Sequence, residues 1–271
     1  MHGSVKDGRV TKTKLASSTQ RKSSRARTKQ IPASNSNNNK PLPLVERVNK
    51  LPCSEFIALY IPPHARTVIP TISTTESPGE KQEPASSYKL DIYTAKTIPA
   101  ADFEACFKLI EQTQSAAYAS SGFGWSPAKK RKEMRLPDMK YIILRQVSGR
   151  YDATGEEEDG RTVGEFKGFL SFMVTYEDGK EVVYCYEIHL VPSAQGRGLG
   201  GLLMTKFADL GKRVGVEKAM LTVFKSNAKA GRLYSKLGYV VDEYSPRPRT
   251  LRNGTVVDVD YWIMSRGLRD E

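Results

Sequence analysis

A strand that runs straight into a glycine-rich helix start is the tightest constraint in this chain. Tyr184-Cys185-Tyr186-Glu187-Ile188-His189-Leu190-Val191 reads as an extended apolar run. Gln195-Gly196-Arg197-Gly198-Leu199-Gly200 follows and opens an amphipathic helix whose apolar stripe is Leu199, Leu202, Leu203, Phe207 and Leu210. Where such a loop meets a helix N-terminus, unpaired backbone N–H groups and the positive end of the helix dipole converge, which suits a phosphate. The loop lacks the Gly-Lys-Ser/Thr of a Walker loop. It also stands too late in the chain, after an antiparallel meander, to be a dinucleotide fingerprint.

The rest of the chain frames this feature. Of the net charge of +12, residues 1–50 carry +10, from twelve Lys/Arg and two Asp/Glu. The remaining 221 residues are nearly neutral, so the basicity belongs to a tail. Residues 1–42 hold almost no large apolar side chains and are expected to be disordered, since they cannot bury enough surface to offset their ordering entropy. Residues 43–271 are expected to form one domain, with loop insertions near 62–84 and 151–163. Cys53, Cys106 and Cys185 are widely spaced and the histidines are only His2, His64 and His189, so neither a metal site nor a disulfide framework is expected. No apolar run reaches the roughly 20 residues of a membrane span. The expectation is an intracellular, monomeric protein that makes no membrane contact.

Secondary structure follows the periodicities. A short helix is expected up to Leu51, and a longer one over 102–119 from Phe103, Cys106, Phe107, Ile110 and Ala117. Strands are expected at Tyr141–Leu144, Gly168–Tyr176 and Glu181–Val191, the last two joined by a tight Asp178-Gly179 turn. After the glycine loop come the helix, a buried strand at Ala219–Phe224, a short helix over 227–237 closed by Gly238, and strands at Tyr239–Val241 and Val256–Met264. That order is α/β with a mixed sheet.

Taken together these motifs resemble the GNAT acetyltransferase superfamily, and more narrowly the NatD-type N-terminal acetyltransferases. The narrower likeness is carried by Tyr184-Cys185-Tyr186-Glu187, the glycine loop, Leu221-Thr222-Val223-Phe224-Lys225-x-Asn227, Asp242-Glu243-x-Ser245-Pro246, and Gly122-Phe123-Gly124-Trp125 followed by Lys132-Glu133-Met134. The resemblance spans roughly residues 43–266. It implies a mostly antiparallel central sheet flanked by helices and acetyl-CoA as cosubstrate, with its pyrophosphate on Gln195–Gly200. The acceptor it implies is the α-amino group of histones four and two-A, which begin Ser-Gly-Arg-Gly, in nucleus and cytoplasm.

The residue chemistry fits such a reaction. An α-amino group has a pKa near 8, about two units below lysine, so a mild base exposes its lone pair. Glu187 is the candidate base, acting directly or through one water; the plain alternative is a salt-bridged strand glutamate. Backbone N–H groups near His189, Leu190 and Val191 are placed to hold a developing oxyanion. The resemblance makes Tyr184, Tyr186, Tyr118, Phe123 and Trp125 peptide contacts, with Thr222 and Tyr261 from neighbouring strands. It also makes Asn227 and Tyr234 cofactor contacts. Alternation sets Tyr184 and Tyr186 on one face and Glu187 on the other, so a bulge is required if all three share a site.

Two departures stand out. Phe123-Gly124-Trp125 replaces the family's frequent Trp-Gly-Trp, and Thr175 replaces an aspartate, leaving Glu177 to supply negative charge for an arginine-bearing peptide. Lys129-Lys130-Arg131-Lys132 reads either as a nuclear import signal or as a solvated helix face. The tail suits nucleic acid, chromatin or ribosomal, through phosphate neutralisation, or serves only as a solubilising extension. A lysine or small-amine acetyltransferase, and a non-enzymatic chromatin-binding module, are the competing function classes.

Overall fold

The computed structural model describes residues 41–68, 87–147 and 164–269. In chain order they form α1 (Leu44–Asn49), α2 (Cys53–Tyr60), β1 (Thr67–Val68), β2 (Ser87–Thr94), α3 (Ala100–Ser120) and α4 (Pro127–Met134). Then come β3 (Lys140–Val147), β4 (Glu165–Glu177), β5 (Lys180–Leu190), α5 (Leu199–Val214), β6 (Lys218–Phe224) and α6 (Ala228–Lys236). The chain closes with β7 (Val240–Val241), β8 (Arg249–Thr250), β9 (Val256–Val257) and β10 (Tyr261–Gly267). The tail expected over 1–42 lies, but for Pro41 and Leu42, outside the described residues, as does the insertion at 151–163. Of the stretch near 62–84, residues 62–68 are described and hold a single helical turn and β1.

An eight-stranded sheet in the order β1-β2-β3-β4-β5-β6-β10-β7 organises these elements. Every neighbouring pair is antiparallel except β5–β6, which α5 connects as a crossover. The α/β class with a mixed, mostly antiparallel sheet is therefore the observed one.

Side-chain alternation assigns the two faces. Leu90, Leu144, Leu170, Val183 and Leu221 point to one face, where α1, α2 and α5 close the larger core. The apolar stripe of α5 does this work: Leu199, Leu203, Phe207 and Leu210 are all buried. Each such side chain stabilises by about 1.5–3 kcal/mol. Tyr141, Ile143 and Phe169 point to the other face and pack on Phe103, Phe107 and Ile110 of α3.

The β4–β5 hairpin turns at Asp178 (φ 47°) and Gly179 (φ 81°), both left-handed as a two-residue type I′ turn requires. Four elements escaped the periodicity reading: α2, β2 and the two-residue strands β1 and β8. One expected strand divides: Val256–Val257 pairs with Arg249–Thr250 in a separate ribbon, and β10 begins only at Tyr261.

Candidate active site

Halfway along β5 the pairing changes on both sides. Toward β4, Ser171 opposes Glu187 but Phe172 opposes Cys185, so Tyr186 is one residue too many. Met173 opposes Tyr184, and Met173 and Ser171 share a face of β4. The extra residue therefore returns Glu187 to the face of Tyr184, and the bulge that the sequence required is present. Toward β6, pairing covers only Val182–Cys185 against Lys218–Leu221. Beyond Cys185 the two strands are unpaired with each other, and the sheet opens.

A cavity of about 440 Å³ lies at this opening. Its β5 wall is Tyr184, Tyr186, Glu187 and His189, and β6 adds Thr222. Opposite stand Tyr118 at the end of α3, Phe123 and Trp125 in the connection, and Lys130 and Glu133 on α4. Asn227 and Tyr234 close the end near α6. The aromatic side is built by ring packing: Trp125 lies 5.9 Å from Tyr118 and 6.2 Å from Phe107, and Phe123 lies 5.9 Å from Phe224. The Gly122 N–H donates to Asp260 Oδ2 at 3.3 Å, tying this connection to the start of β10.

Glu187 is the hub. Oε1 accepts from Lys130 Nζ at 2.7 Å and from the Tyr118 hydroxyl at 3.0 Å; Oε2 lies 2.8 Å from His189 Nε2. A carboxylate offers about four lone-pair sites, so one remains for an incoming group. Burial on its own would raise the Glu187 pKa, but the Lys130 ammonium and the His189 hydrogen bond outweigh it and lower it to about 2. Lys130 is pulled both ways as well: burial lowers it, the Glu187 carboxylate raises it, and the net direction is up. Thr113 gives its hydroxyl proton to the Leu109 carbonyl (2.6 Å) and lies 2.7 Å from His189 Nδ1. Both ring nitrogens of His189 thus have partners, Glu187 on one side and Thr113 on the other.

The phenols are held neutral. Burial, then the Glu187 charge, pushes Tyr118 up, and burial pushes Tyr184 up although Thr222 opposes it. Tyr184 and Thr222 hydroxyls are 2.5 Å apart, and the Tyr184 and Tyr186 rings sit 5.4 Å from each other. Tyr234 is buried, and desolvation pushes its phenol up.

The glycine loop lies outside the cavity. Gln195, Gly196, Arg197 and Gly198 are exposed, and Gly196 (φ 78°) and Gly198 (φ 76°) adopt the left-handed region open to glycine. Gly198 caps α5, whose first-turn N–H groups have no partner within the helix. Gln195 Nε2 donates to the Leu190 carbonyl at 3.0 Å and pins the loop to the end of β5. Asn227 caps α6 by accepting from the Ala230 N–H at 3.1 Å.

Several expectations need correction. Val191 cannot supply an oxyanion donor as it stands, because its N–H donates to the Lys167 carbonyl at 3.0 Å. By antiparallel alternation the His189 N–H also turns toward β4, and those of Ile188 and Leu190 turn toward the gap. Thr175 and Glu177 do not line the cavity; they lie toward the hairpin end of β4, opposite Val182 and Lys180. Glu177 still acts on the site by adding its charge, after burial, to the upward push on Tyr184. Tyr261 is likewise outside the lining and supports it from behind, 5.1 Å from Phe123.

The basic run on α4 is neither an import signal laid bare nor a uniformly solvated face. Lys130 is buried, Arg131 bonds Glu104 at 2.7 Å over the Phe107 ring, and Lys129 and Lys132 stay exposed at the cavity rim. The side chains of Lys130, His189 and Thr113 were missed by the sequence reading. A signal existed for Lys130: Ser126-Pro127 marks a helix start, and Lys130 stands one turn before Met134 on the same face.

Comparison with known proteins bears on these residues. Residues 118–239 match the Acetyltransferase (GNAT) family. N-alpha-acetyltransferase 40 of Saccharomyces cerevisiae is 29% identical over 164 residues, 54% of this chain and 54% of that protein. The chain thus spans about half the length of that curated relative. The L-methionine sulfoximine/L-methionine sulfone acetyltransferase of Salmonella typhimurium is 26% identical over 156 residues, 56% of this chain and 84% of that one. Among solved structures, Arabidopsis thaliana NAA60 in complex with a bisubstrate analogue superposes with a TM-score of 0.45 at 15% identity, covering 67% of this chain and 100% of that one.

Proposed function

We propose that this member of the GNAT acetyltransferase superfamily transfers the acetyl group of acetyl-CoA to the α-amino group of a protein N-terminus. The observation that carries the reading is the Tyr186 bulge, which sets Glu187 beside Tyr184 on the wall of an opening between two strands. The fit to acetyl-CoA rests on three features of the fold. The exposed left-handed glycines and the open N-terminus of α5 suit its pyrophosphate, the gap between β5 and β6 suits its arm, and Asn227 and Tyr234 stand at the cavity end. When bound, acetyl-CoA supplies the activated acetyl thioester.

The chain's own groups do the rest. Glu187 is ionised across the working pH range and keeps one lone pair for an amine N–H or a bridging water. With a pKa near 8, roughly a quarter of an α-amine is neutral at about pH 7.5, against about a thousandth of a lysine side chain. Glu187 therefore orients an amine that is already partly neutral, and takes its proton as bonding makes that nitrogen acidic. The Ile188 and Leu190 N–H groups are the donors that face the gap. Tyr118, Trp125 and Phe123 wall off water from the reacting atoms.

Histones four and two-A are the acceptors this reading favours, on the resemblance carried by the Tyr-Cys-Tyr-Glu run; the yeast relative supports an N-alpha acceptor only. The test is mass spectrometry after incubating acetyl-CoA with Ser-Gly-Arg-Gly peptides whose N-termini are free or blocked. Product on the free peptide alone is expected. Product on the blocked peptide would replace this reading by a lysine acetyltransferase.

A further inference from the structure

Lys130 is a nearly buried lysine whose position no substrate chemistry explains by itself. Only 7% of its side chain is exposed, and 5% of that of Glu187. Lysines are almost never buried this deeply unless paired. All three ammonium protons have acceptors: Glu187 Oε1 at 2.7 Å, the Tyr118 hydroxyl at 3.1 Å and Glu133 Oε1 at 3.2 Å. The helix that carries it is itself clamped. Ser126 caps its first turn, Arg131 reaches back to Glu104 on α3, and the Arg135 guanidinium lies 4.1 Å from the Phe103 ring.

We propose that Lys130 is a positioning residue for acetyl transfer: from α4 its ammonium holds the Glu187 carboxylate charged and turned into the cavity, with its last lone pair left for the acceptor. The proposal rests on the acetyl-transfer reading for its kinetic consequence and on the contacts alone for its structural one.

The groups facing Glu187 come from every element around it. Lys130 and Glu133 are on α4, Tyr118 on α3, His189 and Cys185 on β5, Tyr141 on β3 and Tyr234 on α6. The tyrosines and the cysteine are pushed up and stay neutral, and Glu133 pairs with Lys130 at 3.2 Å. Lys130 is thus the chief counter-charge, and the His189 hydrogen bond comes next. With Lys130 gone, burial favours a protonated Glu187 and its chief opposing charge is lost, so the carboxyl donates where it should accept. The sign is definite. Activity then gains a second acid limb, added to that of the acceptor amine, which the intact protein does not have because its carboxylate stays ionised to about pH 2.

Full-length protein and its Lys130→Met and Lys130→Arg variants would be compared on a free N-terminal peptide, with acetyl-CoA binding by calorimetry as the check on folding. Lys130→Met is expected to lose about 10-fold or more in kcat near neutral pH and to gain a further acid limb, steepening that of the amine, between about pH 5 and 7. Acetyl-CoA affinity should change by less than about two-fold, since Lys130 lines the cavity and the glycine loop lies outside it. Lys130→Arg keeps the charge and should show no such limb. A Lys130→Met profile that follows the unmodified protein, or an Arg variant with the same limb as Met, would overturn the proposal. If no N-terminal product forms even with the unmodified protein, the functional reading fails and Lys130 is judged separately. The Glu187 carboxylate infrared band, assigned against Glu187→Gln, then decides. It should vanish at higher pH in Lys130→Met than in the unmodified protein, and an unchanged transition would refute the positioning role.

Discussion

The two halves of β5 have opposite characters. Lys180–Cys185 pairs with β4 on one side and, from Val182, with β6 on the other, and Val182, Val183 and Cys185 are buried in apolar surroundings. Tyr186–Leu190 keeps only its β4 neighbour, begins with a bulge, and carries a carboxylate and an imidazole in place of aliphatic side chains. The first half stabilises the fold, and the second exposes backbone donors and polar groups to a cavity. Chemistry sits where pairing stops because a fully paired strand leaves no backbone N–H for a ligand.

Substitutions should separate the halves, and the largest effect belongs to the second. Glu187→Gln should reduce kcat by about 10²–10³-fold with acetyl-CoA affinity kept, as measured by steady-state kinetics and calorimetry. A loss below ten-fold would demote Glu187 from the reaction.

Acid stability gives the next contrast. The Glu187 pKa is lowered from 4.5 to about 2, so its share of stability is complete above the unfolded value and is lost as pH falls through that window. Chemical denaturation between about pH 5 and 2 should show a shallower decline for Glu187→Gln than for the unmodified protein.

In the first half the outcome inverts. Val183→Ala should cost about 2 kcal/mol by urea unfolding, through the cavity it leaves against α5, while kcat stays within about two-fold. A kinetic defect equal to that of Glu187→Gln would erase the distinction between the halves. The smallest effect should come from Tyr184→Phe, just before the boundary. Loss of its hydroxyl contact with Thr222 should cost about 1 kcal/mol in the same assay.

The parts that were legible in the sequence share one property, that local pattern decides them. The α5 stripe, the Asp178-Gly179 turn and the need for an irregularity between Tyr184 and Glu187 could be read because neighbouring positions carry the signal. Even β2 had one, since Tyr88, Leu90 and Ile92 alternate inward, but it follows a long polar stretch and was passed over. Lys130 is of another kind. In a run of four basic residues its helical spacing to Met134 hints at an inward face, but its pairing arises only when α4 packs across β5, 57 positions further along the chain.

The sequence by itself determined the element order, the class of sheet, the glycine loop at a helix start, and that Glu187 needed a bulge to join the tyrosines. Tertiary structure alone decided which residue bulges, which backbone N–H groups remain open, and that Thr175, Glu177 and Tyr261 fall outside the cavity wall. It also decided that a lysine from a solvated-looking run is the partner of Glu187. Periodicity reports which face a side chain takes, a matter of a few neighbouring residues. Charge pairing and donor satisfaction depend on what is brought opposite in space, and that is settled only when the helices close on the sheet.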